Sequence, residues 1–120
     1  MVKYDFLTIL LFILIIKGCH GCSTTNIKVI VGLSGKEIQG KPEYAVLVYN
    51  TCDCPVGGII LSCPDFKTIE PIDPTIFVRY SDGRCLINQG HNIYPGTYLG
   101  FSYAWDGEFN LPAIDSYPVC

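Results

Sequence analysis

Charge is scarce in this 120-residue chain: only 16% of residues are Asp, Glu, Lys or Arg, and no basic cluster occurs anywhere. From residue 22 onward, six cations (Lys28, Lys36, Lys41, Lys67, Arg79, Arg84) face ten carboxylates, a net of −4. That balance argues against nucleic acid or an anionic membrane as partner. Histidine is nearly absent, with His91 alone in that stretch, set in a Gly- and Asn-rich turn without a Ser or Cys arrangement that would make it a catalytic base. Helical periodicity is missing after the first segment, as are internal repeats and low-complexity tracts. No Asn-x-Ser/Thr sequon follows residue 21; Asn50-Thr51-Cys52 fails at its third position. The longest apolar run, Phe6 to Ile16, has eleven residues. A helix crossing a bilayer needs roughly 20, so the run reads instead as the core of a secretory leader. Cleavage after Gly21 places the small residues Cys19 and Gly21 where signal peptidase requires them. The expected domains are a leader, 1–21, and one globular unit, 22–120, with no membrane span after cleavage.

Cysteine is what the chain has in excess. Of seven, the cut removes Cys19 and leaves Cys22, Cys52, Cys54, Cys63, Cys85 and Cys120. An even number in an oxidising compartment implies a disulfide framework. Cys52 and Cys54 are too close to bond each other without strain, so each should reach a different partner. The pairing itself stays open among fifteen possibilities. A zinc site at Cys52-Asp53-Cys54 with Cys63 and Cys85 is disfavoured by the one-residue gap and by secretion.

β-Branched and aromatic runs bounded by turn residues supply the architecture. Tyr44–Asn50 and Ile59–Cys63 flank a connection containing Pro55, Gly57 and Gly58, which predicts a hairpin with its first strand covered on both faces. Asn26–Gly32 reads as an earlier strand with Ile27, Val29 and Val31 on one face. Later strands are expected at Phe77–Tyr80, Cys85–Asn88 and Thr97–Tyr103, with a last extended piece before Cys120. Pro64, Pro71 and Pro74 make residues 64–75 a long structured connection rather than a helix. The class is therefore all-β: a small disulfide-stabilised antiparallel β-sandwich of about six to seven short strands.

The chemistry is recognition rather than catalysis. Asp106 and Glu108, in Trp105-Asp106-Gly107-Glu108-Phe109, form a polar loop tip more readily than a paired-carboxylate or metal centre. Several aromatics stand beside turns, among them Phe66, Tyr80, Tyr94, Trp105, Phe109 and Tyr117. Exposed aromatics make protein hot spots or stack on sugars. Candidate partner contacts are Trp105, Asp106, Glu108, Phe109 and Tyr94. No cofactor, metal or catalytic residue is expected.

The order of short motifs resembles a known family. Gly40-x-Pro42-x-Tyr44, Asn50-x-Cys52 and Leu61-Ser62-Cys63-Pro64-x-Phe66 come first. Pro74-x-x-Phe77-x-Arg79, Cys85-Leu86-Ile87-Asn88-x-Gly90, Pro95-Gly96, Phe101-x-Tyr103-Ala104-Trp105 and the terminal cysteine follow. Together they are similar to the plant TAPETUM DETERMINANT 1 family, and this chain looks like one of its short members. The resemblance implies a small protein secreted to the apoplast, a ligand of a leucine-rich-repeat receptor kinase ectodomain in cell-fate or anther development. The alternative expectation is a non-catalytic module that binds cell-wall glycan through Trp105 and Tyr94; a small wall enzyme, or an inhibitor of one, is a third reading.

Overall fold

The computed structural model describes residues 21–120, so the expected leader, apart from Gly21, lies outside the described residues. Seven strands form two antiparallel sheets: β1 (Ile27–Ile38), β2 (Lys41–Asn50), β3 (Val56–Ser62), β4 (Phe77–Arg79), β5 (Arg84–Ile87), β6 (Tyr98–Ala104) and β7 (Ala113–Pro118). One sheet has the order β1-β2-β6 and the other β4-β5-β3-β7. The all-β class and the number of strands agree with the sequence. The helical content of the described residues is two short 3-10 turns, at Thr24–Asn26 and Asn88–Gly90.

The two sheets share one core. Val46, Val48 and Tyr103 of the first sheet and Ile59, Leu61, Cys85 and Ile87 of the second are almost fully buried. Aromatic rings bridge them, Phe77 meeting Phe101 at 4.9 Å between centroids and Phe66 meeting Tyr103 at 5.1 Å. Each buried ring removes well over 100 Å² of apolar surface from water, a large share for a domain this small.

Three expectations need correction. Tyr44–Cys63 is not a hairpin. Both edges of β2 are taken, by β1 and by β6, so β3 has no free edge to pair with and crosses into the other sheet. Secondly, the first strand does not stop at Gly32. It runs to Ile38 through a bulge between Leu33 and Glu37 and turns back into β2 at Gln39-Gly40, where both residues have positive φ (50° and 82°). Such a turn matches the twist of the strands it joins, and glycine takes its second position without steric cost. Thirdly, β2 is not covered on both faces, since Ala45 is exposed and Leu47 and Tyr49 are only half-buried.

The disulfides are Cys22–Cys52, Cys54–Cys120 and Cys63–Cys85. Cys52 and Cys54 thus reach different partners, one at each end of the described chain. The crossing from β2 to β3 is also held from inside. Asn50, fully buried, donates through Nδ2 to the carbonyls of Cys54 (3.0 Å) and Ile93 (2.8 Å) and accepts from the Cys52 N–H (2.8 Å).

Candidate functional site

Strand β6 turns Leu99, Phe101 and Tyr103 toward the core, as its alternation requires, and ends at Ala104. The next residue is the chain's single tryptophan, Trp105, half-buried at the rim. The loop behind it is closed from the core, because the Phe109 N–H donates to the Tyr103 hydroxyl at 2.8 Å. Burial raises the Tyr103 pKa, keeping that phenol neutral and able to hold the loop.

Two ammonium groups attend the indole. Lys41 Nζ lies 5.3 Å and Lys67 Nζ 6.0 Å from the ring centroid, within cation–π range. Lys41 also pairs with Asp106. The charge beside Trp105 is therefore not simply acidic. On one side a cleft of about 550 Å³ is lined by Asp65, Lys67, Trp105, Asp106, Glu108 and Phe109. On the other, one of about 480 Å³ has Phe66, Ile72, Phe77 and Trp105 as apolar walls, with Lys67 and Arg79 as its charged groups and no carboxylate. Trp105 stands between an acidic and a basic cleft, both of a size suited to small side chains or ligands.

The five sequence-predicted contacts are not one cluster. Trp105, Asp106 and Glu108 are together. Phe109 is adjacent but half-buried, its ring 5.3 Å from Phe66 and 5.6 Å from Tyr103, so it braces the loop from within. Tyr94 is exposed (63%) in the turn before β6, a full strand of roughly 20 Å away from Trp105. Sequence reasoning missed Lys41 and Lys67, which are remote in the chain and meet only at the indole. A wider groove, about 830 Å³, runs between β1 and the segment leading into β7, with Ile30 and Ile114 exposed beside it.

Among the described residues, one set of metal-ligand side chains converges: Cys22, Cys52, Cys54 and Cys120, whose sulfurs lie within 4.8 Å of one another. All four are consumed in disulfides, which leaves no thiolate to coordinate. His91 is exposed, and its backbone groups are hydrogen-bonded to Asn88. No helix among the described residues is long and apolar enough to cross a membrane.

A family model described as "Tapetum determinant 1, C-terminal" matches residues 23–120. TPD1 protein homolog 1 of Arabidopsis thaliana is 34% identical over 93 residues, covering 76% of this chain and 51% of its own. Two rice proteins (Oryza sativa subsp. japonica) are also similar. TPD1 protein homolog 1A is 30% identical over 94 residues, covering 72% and 41%; homolog 1B is 31% identical over 100 residues, covering 82% and 58%. The chain spans about half the length of the curated relatives it matches. No solved structure matches it.

Proposed function

This chain belongs to the Tapetum determinant 1 family, and from that membership we propose that it is a non-enzymatic signalling protein, secreted to the plant apoplast after loss of residues 1–21. Its partner in this reading is the leucine-rich-repeat ectodomain of a receptor kinase acting in anther development or another cell-fate decision. The contact surface is Trp105 with the two clefts beside it. The observation that carries the assignment is the position of that ring: a large apolar side chain, half-buried at a rim, braced by two lysines and bordered by opposite charges. A tryptophan whose surroundings exclude water around an apolar centre is the composition of a protein hot spot. Three disulfides in so small a domain also suit an extracellular life.

Charge reversal separates contact from folding. Asp106→Lys with Glu108→Lys alters exposed loop charges and should leave the melting temperature within a few degrees. Binding to its receptor ectodomain, identified by screening an ectodomain panel, should fall by about tenfold or more, chiefly through slower association. A double mutant that folds and binds like the wild type excludes this rim. The glycan reading, placed on Trp105 and Tyr94, draws on the exposure of Tyr94 and predicts retention on wall polysaccharide with release by free sugar.

A further inference from the structure

Glu43 lies on the face of β2 that points away from the core, opposite in direction to Tyr44 and Val46 and paired in register with Ala104 of β6. A carboxylate there should be solvated, yet the residue is only 7% exposed, and Ala104 is fully covered. The long connection between β3 and β4 hooks over the end of β6. On the core side Phe66 is packed against Phe77, Tyr103 and Phe109. At the strand itself the Ile69 N–H donates to the Ala104 carbonyl (3.0 Å), and the Ala104 N–H donates to the Thr68 hydroxyl (3.0 Å). Glu70 comes next, and its half-buried side chain arrives beside that of Glu43.

Two ionised carboxylates bring no hydrogen to such a contact. Glu43 accepts from the Ser34 hydroxyl at 2.6 Å on Oε1, and the Ser102 hydroxyl stands beside both carboxyls. Glu70 Oε1 is buried and has no donor among the described residues. Leaving it so would cost its full desolvation, whereas a single proton between the two side chains satisfies both. We propose that Glu43 and Glu70 share one proton, and that this proton locks the connection over β6 and so holds the Trp105 surface in shape. Phe66, Lys67, Thr68 and Ile72, which wall the basic cleft, all belong to the locked segment. Loss of the proton to solvent leaves two adjacent anions and releases the lock.

The surroundings agree. Ser34 and Lys36 face the pair from β1 and Ser102 from β6, while Lys41, on the same strand as Glu43, is engaged with Asp106. Burial, then the hydrogen bond and charge of Glu43, raise the pKa of Glu70; the Ser34 hydroxyl, then Glu70, lower that of Glu43. Stabilisation by a raised carboxyl is complete below its unfolded value and lost as pH climbs through the folded one. For the lowered partner it is present above the unfolded value and lost as pH falls through the folded one. The lock is therefore tightest in the ordinary carboxylate range, about pH 4 to 5, and loosens toward neutrality.

The inference rests on the receptor reading only for its biological use, and its test needs no partner. The single tryptophan is the reporter. Emission of the disulfide-intact protein should shift on titration from about pH 4.5 to pH 8, and the transition should vanish in Glu70→Gln, whose amide N–H replaces the shared proton permanently. In parallel, carboxyl carbon NMR of the wild type should show Glu70 titrating above, and Glu43 below, the ordinary value of a glutamate side chain. Both groups titrating normally, or a folded Glu70→Gln protein that keeps the transition, overturns the proposal. Failure of receptor binding alone would leave it standing.

Discussion

Asn50 shows how much one side chain can carry. Its amide fastens three backbone groups of the crossing and the neighbouring loop, and it is inaccessible to water. Asn50→Asp keeps size and the acceptor for the Cys52 N–H but replaces two donors with a carboxylate facing two carbonyls. We expect a loss of about 2–4 kcal/mol, which in a domain of this length lowers the melting temperature by about 10 °C or more. A drop under about 2 °C would show the loop to be held by its disulfides alone. The sequence displayed this residue as a failed glycosylation site, because a buried amide and a surface amide are the same letter. Glu43 was not legible either: a charge at the margin of the run Tyr44–Tyr49 reads as a solvated strand end. Its partner, Glu70, lay 27 positions away in a Pro-rich stretch, and nothing in spacing joined them.

At the scale of elements, the strands themselves were legible and their connections were not. Phe77–Tyr80, Cys85–Asn88 and Thr97–Tyr103 agree with β4, β5 and β6 to within about a residue, because apolar alternation is a local property. Which sheet a strand joins is decided by free edges, a global property. Gly57 and Gly58 made the connection look like a hairpin turn, yet both lie inside β3. Gly58 has φ +57°, at an irregularity in the pairing with β7. Gly57 is there for close approach: a Cβ would sit 2.5 Å from Asn92 Oδ1 and 2.8 Å from the Gly90 carbonyl. Gly57→Ala should push β3 off that loop at a cost of about 1–3 kcal/mol. Gly32→Ala makes the same change in β1, where nothing lies within 4 Å, and should be neutral or slightly stabilising. Equal chemical-denaturation midpoints for the two variants would refute this account of β3. The Trp105 site was half legible by the same logic. The aromatic and the two acids are contiguous in sequence, whereas the lysines that brace the ring come from β2 and the β3–β4 connection.

For the molecule as a whole, the two bridges beside Asn50 act as a clasp. Cys22–Cys52 and Cys54–Cys120 bring both ends of the described chain to one loop, spanning 30 and 66 residues, while Cys63–Cys85 spans 22 within the second sheet. Constraint of the unfolded chain grows slowly with loop length, so each bridge should contribute roughly 3–4 kcal/mol, the longest contributing most. Accessibility runs differently. Cys63 and Cys85 are 2% and 0% exposed; Cys120 is exposed and Cys22 is half-buried. A thiolate attacks the sulfur it can reach, so reductant should open Cys54–Cys120 first and Cys63–Cys85 last. The bridge that stabilises most is then the one lost earliest, and its opening frees the end of β7 next to Gly57. Limiting reductant followed by alkylation and peptide mass analysis measures the order. Labels at Cys54 and Cys120 should dominate the first doubly alkylated species, and that species should melt well below the intact protein. If Cys63 and Cys85 are labelled first, the second sheet opens before the clasp, and the clasp is not the outermost fastening of the fold.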